Sequence, residues 1–267
     1  MLETAGRIAR FRGLLATLTV RELQARYRGS LLGYFWSLIN PLLLLAVYSA
    51  VFGWILVPRL GPGVEPYALF LVSGLFPWIW FSSSLLEGSN SLLANAGLIR
   101  KAVFPAELLP VVSVSANLVH FLLALPVAGA ALVAGRLLGF PVGGWGAVAL
   151  PAVVLVQLPL VAGLALGLAA LTAHFKDTRD LLSNLLTLAF FATPIIYPLD
   201  AVPVAWMRSL IRANPLTPYT LAYQEVLFRG TLPEASLWLQ MGAVSLLGWA
   251  AGSWLFGRLR ETVVESV

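Results

Sequence analysis

The chain has 267 residues, 59% of them hydrophobic and 11% charged, with a mean hydropathy of +0.87 and a formal charge of +5. Soluble domains carry about 25% charge, so these totals exclude one and indicate an integral membrane protein. The basic excess suits anionic headgroups or phosphorylated ligands, the sparse polar content argues against nucleic acid, and the lack of Cys excludes disulfides and Cys-ligated metal.

Residues 1–30 read as a cytoplasmic amphipathic interface segment. At about 100° per residue, Ile8, Phe11, Leu14, Leu15 and Leu18 share an arc of about 120°. Arg7 and Arg10 flank it, placed to snorkel to lipid phosphates. The stripe breaks near Thr19, where Val20, Leu23 and Tyr27 move to another face, so a kink or second short helix is expected there. These residues are rich in Arg and have no continuous apolar core ending in a small-residue cleavage site, so no cleavable signal is expected.

Residues 31–267 read as a single transmembrane domain. A span needs about 20 apolar residues, and six segments qualify: about 31–57, 67–86, 108–135, 147–175, 181–199 and 235–257. Pro41 predicts a kink in the first and Pro194 interrupts the fifth. GFPVGGWG (Gly139–Gly146) marks a tight outer turn. Residues 200–234 are apolar, proline-rich and too broken to cross, which suits an outer re-entrant segment covered by protein. Both termini are then cytoplasmic, and this topology puts 12 of the 17 Lys and Arg inside. The fold class is therefore all-α and six-spanning. No internal repeat of the kind found in many secondary transporters is evident.

The spans are nearly free of ionisable groups. Glu87 and Glu107 fall at span ends, and His120, near Asn117, reads with Gln157 as a helix–helix hydrogen-bonding group. The only lysines are Lys101 and Lys176, neither preceded by glycine, so no P-loop is present. HExxH, GxSxG and catalytic carboxylate pairs are also absent. No catalytic residue, metal site or cofactor is expected, and transport would have to be driven from outside the chain. GxxxG occurs at Gly163–Gly167 and Gly248–Gly252, a mark of close helix approach.

RELQARYRGSLLGYFWSLINPLLLLAVYSAVFG (Arg21–Gly53) resembles the ABC-2 type export permeases, and within them the branch exporting O-antigen, capsule and teichoic acid. LIRKAVFPAELLPVVSVSANLVHF (Leu98–Phe121), HFKDTRDLLSNLLTLAFFATPIIYPLD (His174–Asp200) and NPLTPYTLAYQEVLFRG (Asn214–Gly230) extend the resemblance over essentially the whole chain. It implies a homodimeric permease in the bacterial inner membrane, with two copies of a separate ATPase that binds ATP and Mg. A lipid-linked polysaccharide would pass between the protomers. The alternative cargo is a drug, lipid or other small amphiphile, and the contrasting class is a membrane enzyme or assembly protein, for which no constellation is seen.

Two sets of candidate residues follow. Arg21, Arg26 and Arg28 edge the first span and match carrier pyrophosphate, with general headgroup binding as the competing role. Tyr34, Trp36, Tyr48, Trp78, Trp80, Phe81, Phe190, Phe191 and Tyr197 offer rings on which sugars pack, against the ordinary roles of interface belt and helix packing. Trp54, Trp145, Trp206 and Trp238 are assigned to the outer belt. The resemblance also implies that the loop of Arg100, Lys101, Phe104 and Glu107 contacts the ATPase, with Lys176, Asp177 and Arg179 nearby; the competing role of the basic pair is orientation.

Overall fold

The computed structural model describes residues 2–29, 33–53, 64–101, 104–175 and 177–266. Within these ranges the side chains of Tyr34, Arg100 and Lys101 fall outside the description, as do Trp54 and Lys176 altogether. Every described regular element is helical. In order they are α1 (Leu2–Arg10), α2 (Arg12–Tyr27), α3 (Trp36–Tyr48, continued by a π turn Ser49–Gly53), α4 (Tyr67–Ala94), α5 (Ala96–Lys101), α6 (Leu108–Leu137), α7 (Leu150–His174), α8 (Thr178–Ala192), α9 (Ala205–Ala213), α10 (Thr217–Tyr223) and α11 (Ala235–Ser266).

Among the described residues, three helical stretches are long and apolar enough to cross a membrane: Tyr67–Ala94, Leu108–Leu137 and Trp145–His174, the last formed by a 3-10 turn leading into α7. Of the membrane-crossing windows, 72% of that in α4 is buried against 28% of that in α6. α4 is therefore the centre of the bundle, while α6 is buried over its first two turns and opens outward along its later, membrane-crossing window. Most hydroxyls of α4 do not oppose its burial; the buried Ser84 hydroxyl is the exception, with no partner among the described residues. Ser73, Ser82, Ser89 and Ser91 donate to carbonyls three or four residues back, which satisfies them without water.

Helix limits differ from the sequence expectation where charge was taken as a boundary. α4 runs two turns past residue 86, and its 28 residues span about 42 Å. Glu87 lies inside the helix because Arg26 meets its carboxylate. α11 likewise continues without a break to Ser266. In contrast, α8 has 15 residues, about 22 Å, short of the roughly 30 Å hydrocarbon layer.

The N-terminal segment breaks at Phe11, not near Thr19. The Thr19 hydroxyl donates to the Leu15 carbonyl at 2.8 Å and α2 continues through it. The buried stripe of α2 is Thr19 and Leu23, with Leu15 partly covered and Leu14 exposed, so α2 rests on protein through the face that carries Leu23. Arg7 does not snorkel to lipid; it pairs with Glu107 at 2.5 Å, and Ile8 packs with Leu15 against a cluster containing Leu92, Ile99 and Phe256.

α7 and α11 meet through their glycines. A Cβ on Gly163 would stand 2.5 Å from Trp249 Cα, one on Gly167 would stand 3.1 Å from Gly252 Cα, and one on Gly252 would overlap the Gly163 carbonyl. The two GxxxG motifs thus form a single backbone-to-backbone contact. The segment after α8 is fixed by polar side chains. Tyr223 donates to Gln157 Oε1 at 2.8 Å, Tyr219 donates to the Met241 carbonyl at 2.8 Å, and Gln224 donates to the Pro194 carbonyl at 2.7 Å. The glycine-rich turn 139–146 is clasped to the end of this segment. Gly143 N–H donates to the Phe228 carbonyl at 2.8 Å and Gly146 N–H to the Gly230 carbonyl at 3.0 Å. Gly230 is left-handed (φ +67°), and a Cβ there would overlap Gly143, so two requirements select glycine.

Candidate functional site

A polar node joins the interface segment to the bundle. Arg26, the penultimate residue of α2, places Nη2 2.5 Å from Glu87 Oε2 on α4 and donates from Nη1 to Asn117 Oδ1 on α6 at 3.3 Å. Asn117 Nδ2 donates to the same Glu87 oxygen at 2.5 Å and to the Ser113 carbonyl at 3.0 Å. Glu22, one turn earlier on α2, is 3.6 Å from Arg26. Tyr27 and His120 are hydrogen-bonded at 2.9 Å with their rings edge to face. Three helices thus share the Arg26–Glu87 charge pair, two bonds from Asn117 to its charged members, and one neutral contact between Tyr27 and His120. Charge-assisted bonds of this kind are shorter and stronger than neutral ones. Asn117 and His120 act as helix–helix hydrogen-bonding groups, as their place in an apolar helix predicts.

Beside this node lies a cavity of about 560 Å³ between α2, α4 and α6, reached by Arg179 from the first turn of α8. Arg21 and Arg179 line it; Arg26 is committed to Glu87 and Arg28 lies outside the lining, so the structure does not gather the predicted trio in one place. A second cavity of about 530 Å³ is bordered by Arg7, Glu107 and Arg260. Glu107 is only 2% exposed, with Oε1 on Arg7. Phe104 packs on the cluster under α5, while Asp177 and Arg179 are exposed.

Most of the aromatic set converges. Phe190 on α8 stacks on Tyr48 of α3 (5.8 Å between centroids), is tilted against Trp78 of α4 (5.7 Å), and meets Phe191 edge on (5.2 Å). Trp78 also touches Phe81 (5.6 Å), and the Tyr197 hydroxyl donates to the Phe191 carbonyl at 2.9 Å. Phe191 is 53% exposed, so the cluster reaches the surface, next to an apolar cavity of about 530 Å³ walled by Phe191, Tyr197 and Met207. Two members of the set stand apart. Trp80 is 1% exposed and stacked on Phe121 inside the protomer, and Trp36 is exposed at the opposite end of α3 from Tyr48.

One feature of α8 went unread in the sequence. Asp180, Ser183, Asn184, Thr187 and Phe191 are all exposed and lie within an arc of about 100° on the helix. The spacing was legible: polar residues at i, i+4 and i+7 in an otherwise apolar span. Asn90 and Asn95, which line the larger cavity, carried no such signal.

Comparison with known proteins bears on what this geometry serves. The family model described as "ABC-2 type transporter" matches residues 13–228. The chain is 39% identical over 270 residues to "O-antigen export system permease protein RfbA" of Myxococcus xanthus, covering 100% of both chains. It is 34% identical over 221 residues, 82% of each chain, to the protein of the same name from Klebsiella pneumoniae. It is 24% identical over 250 residues to "Polysialic acid transport protein KpsM" of Escherichia coli, covering 93% of this chain and 94% of that one. With the helical membrane body and the family match over most of its length, the chain belongs to the ABC-2 type transporter family.

Proposed function

We propose that this chain is the membrane permease subunit of an ATP-driven exporter that moves a lipid-linked, O-antigen-like polysaccharide outward across the bacterial inner membrane. The observation that carries the reading is the polar strip of α8. The Asn184 amide and the Ser183 hydroxyl on an outward face of an apolar helix are costly against lipid, whereas Thr187 donates to the Ser183 carbonyl at 3.0 Å. The cost vanishes when a second protomer or a hydrated passage covers them. Two copies of this chain facing each other through α8 would line such a passage with Ser183, Asn184 and Thr187 and end it on the ring cluster of Tyr48, Trp78, Phe81, Phe190, Phe191 and Tyr197. Rings present wide, weakly polar surfaces on which sugar C–H faces slide. The relatives named for O-antigen export support the choice of cargo.

In this reading six segments cross the membrane, the three long spans being completed by α3, by α8 together with the chain up to residue 199, and by α11, with both termini cytoplasmic. The segment of residues 200–234 enters from the outside and turns back. Two copies of a separate ATPase supply the energy. They dock on Arg100, Lys101 and Phe104 and on Lys176 and Asp177, while Glu107 ties the first of these loops to α1. The test is to purify the permease with its co-expressed ATPase and add lipid-linked glycans one at a time. ATP hydrolysis should rise with the cognate O-antigen-type glycan. Equal stimulation by an unrelated small amphiphile, or turnover by the permease alone, would refute the assignment.

A further inference from the structure

The second cavity lies where α1, the residue preceding α6 and the distal part of α11 come together. Its volume of about 530 Å³ falls within the range of small-ligand sites. Its charged lining is balanced, Glu3 and Glu107 against Arg7 and Arg260, and Thr4 adds a hydroxyl. Arg7 meets Glu107 at 2.5 Å and so occupies Oε1. Oε2 of the same carboxylate is buried and has no hydrogen-bond partner among the described residues. A buried carboxylate oxygen without a donor costs free energy until an N–H or O–H is supplied. Among the described residues, neither Glu3 nor Arg260 has an ion-pair partner, so the two do not cancel each other. The cavity therefore offers a ligand one guanidinium and one hydroxyl as donors. As acceptors it offers one exposed carboxylate and one buried carboxylate oxygen.

We propose that this cavity holds a phosphoethanolamine headgroup, that of a zwitterionic phospholipid of the cytoplasmic leaflet. The inference rests on the cytoplasmic placement of both termini in the exporter reading, and not on the cargo. A simple anion would face Glu3 and Glu107, and a simple cation would face Arg7 and Arg260; a zwitterion satisfies both signs at once. The phosphate accepts from the Arg260 guanidinium, whose fork matches phosphoryl oxygens, and from the Thr4 hydroxyl. The ammonium donates to Glu107 Oε2 and to Glu3. Because that buried oxygen needs an N–H, a primary ammonium fits and a trimethylammonium does not. Phe256 and Gly257 complete the wall, and a Cβ on Gly257 would meet nothing within 4 Å, which leaves room for the start of the acyl chains along α11. A headgroup so held ties α1 and α11 to Glu107, at the end of the loop proposed to receive the ATPase.

The permease–ATPase complex is delipidated in detergent and titrated with phosphatidylethanolamine, with its N-trimethylated counterpart phosphatidylcholine, and with soluble glycerophosphoethanolamine. Bound molecules are counted by native mass spectrometry. The wild type should bind phosphatidylethanolamine about tenfold more tightly than phosphatidylcholine, the equivalent of one charge-assisted hydrogen bond. Glu107→Gln and Glu3→Gln should each erode that preference, because each removes a charged acceptor of the ammonium. Glu3 is exposed and unpaired among the described residues, so its variant keeps the test open if Glu107→Gln fails to fold. Arg260→Gln should weaken both phospholipids alike, since the phosphate is common to them. Arg12→Gln, an exposed charge on α2 outside the cavity, should bind as wild type. Equal wild-type affinity for the two phospholipids would overturn the site while leaving the cargo assignment standing. So would an unchanged preference in Glu3→Gln together with unchanged binding in Arg260→Gln. A preference present in the permease alone and lost in the complex would overturn it in favour of an ATPase side chain as the donor to Glu107. Glycerophosphoethanolamine binding as tightly as the lipid would overturn the membrane as the source and assign the cavity to a soluble ligand.

Discussion

Arg26 on α2 and Glu87 on α4 meet at 2.5 Å across 61 residues of chain, with Asn117 of α6 bonded to both. Glu87 is 39% exposed at its side chain, so water still screens the pair. Glu87→Gln should cost about 1–2 kcal/mol of stability, toward the low end for bonds to charged groups. Arg26→Gln should cost more, because it strands Glu87 beside Glu22. The double variant should cost less than the sum of the singles, and a thermal-unfolding cycle in detergent measures the difference.

The glycine contact of α7 and α11 predicts a sharp contrast. Gly252→Leu must push the helices apart, since even a Cβ overlaps the Gly163 carbonyl. We expect loss of the monodisperse peak in size-exclusion chromatography. Gly257→Ala, on the same helix with open space around it, should elute as wild type and gain a few tenths of a kcal/mol from helix propensity.

Tyr223 is wholly buried, and its hydroxyl is satisfied by Gln157. Tyr223→Phe should lower stability by about 1–2 kcal/mol because the Gln157 amide oxygen loses its donor in a dry setting. Adding Gln157→Leu to Tyr223→Phe should restore most of the loss, since removing both partners leaves nothing unsatisfied. Melting temperatures of the three variants decide it.

Trp78 and Trp80 should fail in different ways. Trp80→Ala empties a packed site against Phe121 and should cost about 3–5 kcal/mol, visible as poor yield and an early melt. Trp78→Ala removes a partly exposed ring from the cluster with Phe190. It should leave a folded permease whose glycan-stimulated ATP hydrolysis is reduced several-fold. Equal loss of folding in both would remove Trp78 from the passage.

These cases show what was legible in the sequence. Apolar runs between charged or Pro/Gly-rich stretches located the long helices, because length and hydropathy suffice for that. Helix ends are not legible from charge alone: Glu87 needs the distant Arg26 to explain its place inside α4, and such pairing has no local signature. Trp78, Trp80 and Phe81 were grouped although helical geometry sets Trp80 about 200° from Trp78 and Phe81 about 60° short of a full turn from it. Counting angles would have separated them. Periodicity reveals that α1 and α2 carry an apolar face, not what covers it: Ile8 and Leu15 rest on protein while Leu14 stays exposed. Likewise the two GxxxG motifs announced close approach without naming each other as partners.

The Gly163–Gly252 contact constrains how such a machine can work. Backbones this close have no lubricating side chains between them, so α7 and α11 cannot shear past one another without collision. They form a keel that must travel as one piece. Whatever widens to admit a polymer has to be borne elsewhere, and α8 is the natural bearer: it is short, outward-facing and tethered at its far end by the Asn214 amide to the carbonyl of Ala192.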